Sequence, residues 1–178
     1  TRLRDLLARR NGLTRENIVI GNGGDELLFN TFLAFGGPEG RLVNTPPTFS
    51  VYALDAQLTA TPVVDVMRDP ETLEVDVDGV IAAAADATIV IITTPNNPTG
   101  DMLPLERIAR IAESTDALVL PDEAYHEFSV DAPSAMELIA AHPNVAVLRT
   151  LSKAYGLAGL RIGYLAGSPE IVKAYLTV

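Results

Sequence analysis

The segment that most restricts the fold of this chain runs from Ile89 to Thr93 and reads Ile-Val-Ile-Ile-Thr. All five of its residues are β-branched, and apolar and polar positions do not alternate along it. β-branched side chains favour extended structure, and the missing alternation is typical of a strand that is buried on both faces. Such a strand belongs to a parallel sheet between two layers of helices, so the segment predicts an α/β fold.

Strand and helix patterns alternate along most of the chain. Short apolar segments predict seven strands, at residues 18–20, 41–44, 61–66, 89–93, 117–120, 145–148 and 161–165. Helical spacing and end signals predict helices at 2–10, 27–35, 77–85, 105–111 and 134–141, another after the prolines at 46–47, and one opened by Ser168-Pro169. The 134–141 helix is predicted from the capping box Ser134-x-x-Glu137. This alternation predicts one largely parallel sheet with helices on both faces.

Composition limits the classes of partner and site. The 178 residues suffice for one domain with a sizeable core, and the chain contains no cysteine, which excludes disulfides and thiolate metal sites. The formal net charge of −10 disfavours nucleic acid and anionic membranes as partners. His126 and His142 have no partners at metal-ligand spacing, so no metal site is predicted. The chain has no apolar run of membrane length and no leader pattern, which predicts a cytoplasmic location.

The termini suggest a piece of a longer protein. The chain begins with Thr1 and ends inside a helical pattern. We therefore expect further segments on either side of residues 1–178.

A glycine-rich segment follows the first predicted strand and opens a helix. It reads Gly21-Asn22-Gly23-Gly24-Asp25-Glu26. Glycines allow close approach of the backbone, and the N–H groups of a first helical turn bind anions, so the segment suits a phosphate. A dinucleotide fingerprint does not fit, because Glu26 stands where the third glycine is required. Taken alone, the segment is equally compatible with an ordinary tight turn.

Four further residues lie near strand ends, and the sequence alone leaves their roles open. Asn97, before Pro98, is either part of a rigid turn or an amide aimed at a ligand. Asp122 is either a helix N-cap or a buried carboxylate that needs a cationic partner, and Tyr125 is close enough to reach the same ligand. Phe49, near a helix start, is by itself most simply a core residue or a hydrophobic staple.

The segment that follows the strand at 145–148 contains a lysine that could act in catalysis. Thr150-Leu151-Ser152-Lys153 follows the strand at 145–148, and Arg161 comes eight residues after the lysine. A lone lysine is usually a solvated surface residue. A partly desolvated lysine at the ligand edge of the sheet can instead attack a carbonyl carbon and hold it as a Schiff base. Thr150, Ser152 and Arg161 would then form an anion clamp beside it.

Together these segments resemble the motifs of fold-type I pyridoxal-phosphate enzymes. The cofactor-lysine motif reads Thr150-Leu151-Ser152-Lys153, followed by glycines and by Arg161-Ile162-Gly163, and a second motif reads Asn97-Pro98-Thr99-Gly100. The resemblance covers essentially the whole chain and is closest to histidinol-phosphate aminotransferases. It implies that residues 1–178 are the large cofactor-binding domain, without an N-terminal arm or a C-terminal small domain. It also implies a three-layer sandwich with a mostly parallel, seven-stranded sheet whose last strand, near 161–165, is antiparallel.

The resemblance further implies a site for pyridoxal 5'-phosphate. In it, Lys153 carries the cofactor and moves protons, Asp122 pairs with the pyridine nitrogen, Asn97 and Tyr125 donate to the phenolic oxygen, and Phe49 stacks on the ring. The phosphate would be held by the backbones of Gly24 and Asp25 and by Thr150, Ser152 and Arg161. Relatives often carry serine or alanine at the position of Gly24, so glycine here gives up a possible hydroxyl contact.

The implied reaction is transamination of histidinol phosphate with 2-oxoglutarate or glutamate, in histidine biosynthesis. The implied enzyme is a cytoplasmic homodimer that acts on a small-molecule amino donor and a 2-oxo acid. An aromatic amino-acid aminotransferase is an alternative, and so is a decarboxylase of the same fold, such as one acting on threonine phosphate. A non-catalytic, cofactor-sensing regulator would need a DNA-binding segment, which the acidity of this chain does not favour.

Overall fold

The computed structural model describes residues 2–178 and contains six α-helices and seven strands in that range. The helices are α1 (Arg2–Arg10), α2 (Gly23–Phe35), α3 (Val51–Leu58), α4 (Val77–Ala84), α5 (Leu105–Glu113) and α6 (Pro169–Tyr175). The strands are β1 (Ile18–Asn22), β2 (Leu42–Asn44), β3 (Val63–Asp65), β4 (Ile89–Thr93), β5 (Leu118–Asp122), β6 (Ala146–Thr150) and β7 (Ile162–Gly167). All seven predicted strands are present, with boundaries shifted by a few residues.

The seven strands form one sheet in the order β1-β7-β6-β5-β4-β2-β3. The pairs β2–β3, β2–β4, β4–β5 and β5–β6 are parallel. Strand β7 pairs antiparallel with both β1 and β6. The predictions of a mostly parallel, seven-stranded α/β sheet and of an antiparallel last strand are therefore confirmed.

Helices cover both faces of the sheet, as the composition of β4 predicts. On one face, Val90 and Ile92 of β4 belong to an apolar cluster with residues of α1, α4 and α5, among them Ile108. On the other face, Ile89 and Ile91 belong to a cluster with residues of α2, α3 and α6. All four of these β4 side chains are at most 1% exposed. Burial of each such side chain favours folding by about 1.5–3 kcal/mol, so β4 anchors the middle of the domain.

Helix ends follow the local signals in two places. The side chain of Asp76 accepts a hydrogen bond from the backbone N–H of Gly79 at the start of α4. Ser168 accepts from the N–H of Ile171, and Pro169 occupies the first turn of α6. Both caps satisfy N–H groups that have no partner within the helix.

The predicted helix at 134–141 is wrong. The structure has a short 3₁₀ helix, Ala135–Leu138, followed by a turn. Ser134 does accept from a backbone N–H, that of Met136, but the N–H of Ala135 donates to the Glu123 carboxylate, 2.6 Å away. The Ser134 hydroxyl also donates to Glu123. This distant carboxylate fixes the segment in a tighter turn than the local sequence predicts.

Within residues 2–178, no helix has both the length and the apolar character needed to cross a membrane.

A buried acid on α3 makes stability depend on pH. Asp55 is 6% exposed, and its Oδ2 atom has no hydrogen-bond partner among the described residues. Burial, and secondarily the nearby charge of Asp25, raise the pKa of Asp55 from 3.8 to about 6. The folded chain therefore holds this proton more tightly than the unfolded chain. The protonated Asp55 carboxyl therefore makes its full contribution to the free energy of folding below about pH 4, and this contribution is lost as the pH rises towards about 6.

We predict that Asp55→Asn removes this pH dependence. At about pH 7.5 the variant should be more stable than the parent by about 1–3 kcal/mol, since each pKa unit corresponds to about 1.4 kcal/mol. Near pH 4 the two proteins should have similar free energies of unfolding. Urea denaturation across this pH range measures the difference, with Asp116→Asn at an exposed position as the control. Equal stability of parent and Asp55→Asn at about pH 7.5 would contradict the prediction.

Candidate active site

One edge of the sheet collects all of the predicted site residues. They line a single cleft: Gly24, Asp25, Phe49, Asn97, Asp122, Tyr125, Thr150, Ser152, Lys153 and Arg161. Most of them lie at or just after the carboxyl ends of β1, β4, β5 and β6, which all run in the same direction. Arg161 precedes β7, and because β7 is antiparallel, its amino end lies at the same edge. The empty space in the cleft, counted out to its open mouth, is about 590 Å³.

Five further residues line the cleft that the sequence did not identify: Leu28, Tyr52, Thr93, Ala124 and Leu148. Tyr52 follows Phe49 by three residues, a spacing that points both side chains the same way at the start of a helix. That spacing was the available signal for Tyr52. The Thr93 hydroxyl gave no such signal, because strand-end threonines are common and its contacts come from distant segments.

Asp122 provides the buried acid of the cleft. It is 4% exposed, and one carboxyl oxygen accepts from the N–H of Ala124 at 3.0 Å. The other oxygen lies 2.6 Å from the Tyr52 hydroxyl. Burial raises the pKa of Asp122, and these two hydrogen bonds only partly oppose that effect. Among residues 2–178 no cation is paired with it, so the carboxyl group is available to a positively charged N–H of a ligand.

A row of hydroxyl groups leads away from Asp122 beneath the cleft. The Tyr52 hydroxyl lies 2.8 Å from Thr93 Oγ1, which lies 2.9 Å from Thr48 Oγ1. Thr48 Oγ1 lies 2.8 Å from Asn96 Oδ1. Burial, first of all, places the pKa of Tyr52 well above its ordinary value of 10, so its hydroxyl keeps its hydrogen. The row connects the end of β4 to the loop that carries Asn97.

Close packing of two glycines shapes the end of the cleft at which Arg161 lies. A Cβ atom on Gly163 would lie 2.4 Å from the carbonyl carbon of Gly23, so β7 and the start of α2 approach at backbone distance. Gly23 has a φ of +83°, and Arg161 has a φ of +50° that places its guanidinium directly over Gly23. A left-handed conformation costs a residue with a Cβ atom about 1–2 kcal/mol, so this position of Arg161 is held by its surroundings.

Several donors face the space above Gly24. The Arg161 Nη2 atom lies 3.2 Å from the Asp25 carboxylate. The Thr150 and Ser152 hydroxyls lie 3.0 Å apart, and the Ser152 N–H donates to Thr150 Oγ1. A guanidinium, two hydroxyls and the first turn of a 13-residue helix are the groups that bind a phosphate.

Lys153 lies at the mouth of the cleft. Its Nζ atom is 5.3 Å from the centre of the Tyr125 ring. The expectation that the amine is partly desolvated is not met, since Lys153 is exposed. All residues from Lys153 to Arg161 are exposed, although Arg10 of α1 lies over the Tyr155 ring in this loop, 5.7 Å from its centre. The amine of Lys153 therefore lines the cleft without being withdrawn from water.

Phe49 and Asn97 form the remaining walls. Phe49 is half-buried and packs edge-on against Tyr52, with ring centres 5.6 Å apart and planes at 81°. It combines the two roles that its sequence position allowed, because it packs against the core and lines the cleft. Asn97 is partly buried and lines the cleft. The turn it occupies therefore places its side chain beside a ligand space.

A buried ion pair fastens the same strand ends from behind. Arg149 donates to the Glu123 carboxylate at 2.9 and 2.7 Å and to Glu127 at 3.1 Å. Glu123 follows Asp122, and Arg149 precedes Thr150. Successive strand residues face opposite sides, so this pair occupies the face opposite the cleft. Both side chains are at most 9% exposed, and removing one partner would leave a buried charge unpaired.

Comparison with known proteins shows what this chain is similar to. The family profile described as aminotransferase class I and II matches residues 1–178. A histidinol-phosphate aminotransferase of Chlorobium phaeovibrioides is 45% identical over 163 residues, which cover 90% of this chain and 45% of the relative. One from Thermococcus gammatolerans is 44% identical over 172 residues, covering 96% and 48%. The chain thus spans about half the length of the curated relatives it matches.

A solved structure shows the same fold. The histidinol-phosphate aminotransferase of Sinorhizobium meliloti, determined in complex with pyridoxal-5'-phosphate, superposes with a TM-score of 0.91 at 32% sequence identity. The match covers 99% of this chain and 49% of that structure.

Substitutions at the neighbouring residues Gly23 and Gly24 test whether Arg161 holds an anion at its end of the cleft. We predict that Gly23→Ala weakens binding of inorganic phosphate about tenfold or more, because the new Cβ displaces Arg161 and a charged hydrogen bond is worth about 1.5–3 kcal/mol. Gly24→Ala controls for an added Cβ in the same turn, since this Cβ would find only ordinary contacts, 3.8 Å and more away, and Gly24, unlike Gly23, has no positive φ. Isothermal titration with phosphate measures both. Equal losses in the two variants would show that Arg161 does not hold the anion.

Proposed function

Because this chain belongs to the aminotransferase class I and II family, we propose that it is the cofactor-binding part of a pyridoxal-phosphate-dependent aminotransferase. The observation that carries the proposal is the convergence of a lysine, a buried carboxyl group without a cation and an arginine-lined glycine turn in one cleft. These three groups correspond to the aldehyde, the ring nitrogen and the phosphate of pyridoxal phosphate.

The phosphate end of the cleft fits this cofactor. Arg161 and the hydroxyls of Thr150 and Ser152 supply donors, and the N-terminal turn of α2 supplies N–H groups at Gly24 and Asp25. Asp25 contacts Arg161 through its carboxylate, which holds the guanidinium at the place where an anion would bind. A phosphate would therefore replace this carboxylate as the partner of Arg161.

The ring end also fits. Asp122 is buried and has no cationic partner in the described chain, as is required of a group that pairs with a protonated ring nitrogen. Phe49 offers an aromatic face, and Asn97 and Tyr125 offer donors to a phenolic oxygen. Lys153 is the lysine at this edge of the sheet. Each residue thus has a role that its chemistry and position allow.

The mechanism we propose assigns one task to each of these residues. When bound, pyridoxal phosphate would supply an electron-accepting ring that stabilises negative charge at the substrate α-carbon. Lys153 Nζ would bond the cofactor and, once released by the substrate, carry the α-proton as base and then acid. Asp122 would keep the ring nitrogen protonated. Asn97 and Tyr125 would stabilise the phenolate, and Arg161 would anchor the phosphate.

We propose histidinol phosphate as the amino donor, with 2-oxoglutarate as the acceptor. Support comes from the curated relatives, which share 40–45% identity with this chain and are named histidinol-phosphate aminotransferases. An aromatic amino-acid aminotransferase or a same-fold decarboxylase would use the same cleft residues. A threonine-phosphate decarboxylase of Porphyromonas gingivalis superposes with a TM-score of 0.84, but its 25% identity is below the 40–45% of the histidinol-phosphate aminotransferases. The regulator hypothesis has no supporting observation.

We also propose that residues 1–178 are the large, cofactor-binding domain of a cytoplasmic homodimer, in which other segments grip the substrate. Supporting this, apolar side chains are exposed next to cleft residues: the Phe128 ring contacts the Tyr125 ring, with Val130 two residues further on, and Leu160 directly precedes Arg161. A partner surface would remove them from water. The half-length match to the curated relatives supports the domain assignment.

The assignment of Lys153 can be tested against the second lysine, Lys173 on α6, because the chain has only these two. Reduction with borohydride in the presence of pyridoxal phosphate should label the peptide that contains Lys153. Lys153→Ala should abolish both the label and the visible absorbance band. Lys173→Ala, at an exposed position, should leave both unchanged. A label confined to Lys173 would refute the proposed site.

The role of Asp122 predicts a separation of binding from catalysis. In the full-length protein, Asp122→Asn should retain bound cofactor but lose transamination rate by roughly a hundredfold or more, the scale expected when a positioned proton is lost. The reason is that a neutral amide cannot hold the ring nitrogen protonated. Stopped-flow measurement of a single turnover gives the rate. A loss of only a few-fold would contradict the ring-nitrogen role.

A further inference from the structure

The row of hydroxyl groups behind Asp122 contains more contacts than its own hydrogens can fill. Four oxygen–oxygen contacts of 2.6–2.9 Å connect, in order, Asp122, Tyr52, Thr93, Thr48 and Asn96. Each distance is that of a hydrogen bond, and each hydrogen bond needs one hydrogen between its two oxygens. The three hydroxyl groups in the row supply one hydrogen each. One contact of the four therefore lacks a hydrogen if both ends of the row are pure acceptors.

The Asn96 end is an acceptor, because its amide orientation is fixed. The Nδ2 atom of Asn96 donates to the carbonyl oxygen of Pro47 at 3.0 Å and to Thr99 Oγ1 at 2.6 Å. The Thr99 hydroxyl donates in turn to the Asp101 carboxylate. Rotating the amide would place its oxygen against the Pro47 carbonyl, two acceptors in contact. Asn96 Oδ1 thus faces Thr48, and the missing hydrogen cannot come from this end.

We propose that Asp122 is protonated in the cofactor-free protein and donates this fourth hydrogen, so that the row runs from Asp122 through Tyr52, Thr93 and Thr48 to Asn96. In this arrangement each of the four contacts contains one hydrogen, which is donated by the residue nearer Asp122 to the next residue in the row. Tyr52 and Thr93 are then positioning residues that set the protonation state of Asp122.

The electrostatic surroundings favour the same state. Burial raises the pKa of Asp122, and the neighbouring carboxylates of Glu123 and Asp25 act in the same direction. The cations that line the cleft, Lys153 and Arg161, are both exposed, so solvent screens them from the carboxyl group. The phenol of Tyr52, on α3, faces the site and keeps its hydrogen because burial raises its pKa, and the ring of Tyr125, after β5, also lines the cleft.

The row can also reverse, and this consequence rests on the proposed function. When Asp122 gives its proton to the ring nitrogen of pyridoxal phosphate, the proton leaves a carboxyl oxygen and joins the nitrogen lone pair, so no outside acid is needed. The hydroxyls then turn, with Thr48 donating to Thr93, Thr93 to Tyr52 and Tyr52 to the new carboxylate. Only Asn96 Oδ1, at the far end, loses its donor. The protein thus stabilises both protonation states at the expense of one distant hydrogen bond.

The experiment is a carbon-13 carboxyl NMR titration of the cofactor-free, aspartate-labelled protein, with the Asp122 signal assigned by its loss in Asp122→Asn. In the wild-type protein, Asp122 should remain protonated at a pH where most of the labelled aspartate signals have reached their ionised positions. In Thr93→Val two contacts disappear, and Tyr52 can donate to the carboxylate at no cost. The titration midpoint should therefore fall by about half to one pH unit, whereas a purely apolar effect of valine would raise it.

Two variants serve as controls. Thr93→Ser keeps the hydroxyl and should keep the wild-type midpoint. Thr31→Val removes a buried hydroxyl that contacts Tyr175 away from the cleft, and should also leave the midpoint unchanged. The proposal is overturned if Asp122 titrates with the exposed carboxyls in the wild-type protein, or if Thr93→Val leaves its midpoint unchanged or raises it.

A final arm separates this proposal from the proposed function. Addition of pyridoxal 5'-phosphate should move the Asp122 signal to its ionised position. If the cofactor-free titration behaves as expected but pyridoxal 5'-phosphate does not bind, the hydroxyl row stands and the proposed function fails. If the cofactor binds normally but Asp122 was already ionised without it, the hydroxyl row fails alone.

Discussion

The burial of the Asp122 carboxyl group is the constraint on which the cleft depends. An ionised carboxylate taken from water without a partner costs several kcal/mol, and the described chain offers this group only an N–H and a hydroxyl. Because β5 lies between β4 and β6 in the middle of a sheet covered on both faces, the carboxyl group cannot avoid this cost by reaching water, whereas a neutral carboxyl group does not incur it. The chain thus maintains an acid that is best matched by a cation from outside.

The two faces of the strand ends divide the work of holding this acid. Asp122 and Thr150 face the cleft, whereas Glu123 and Arg149, each one residue away, face the opposite side. The Glu123–Arg149 ion pair, on the side opposite the cleft, joins β5 to β6. It therefore fixes the distance between Asp122 and Thr150 on the cleft side. A site built on strand ends held in this way is more rigid than one built on free loops.

The sequence predicted what local signals control. The β-branched segment of β4 and the caps at Asp76 and Ser168 mark their elements directly, and the residues after each strand end lie at one edge by topology alone. The hydroxyl row was not predictable, because Tyr52 and Asp122 are 70 residues apart and meet only in the folded chain. The helix predicted after Ser134 was wrong for the same reason, because the distant Glu123 carboxylate accepts a hydrogen bond from the Ala135 N–H. The exposure of Lys153 depends on what packs over its loop, which no local pattern encodes.

The pairing of strand β7 with β1 makes one part of the sheet depend on residues that lie far apart in the chain. It pairs with β1, and the Asn17 side chain donates to the carbonyl oxygen of Gly167, 150 residues further along. Contacts of such separation slow folding, because the entropy of closing a long loop is lost before they form. During synthesis, the glycine turn at Gly23 has neither Arg161 nor Gly163 beside it until almost all of these residues have been made. The glycine turn is therefore made early, but it meets the arginine that lies over Gly23 only after residue 161 has been made.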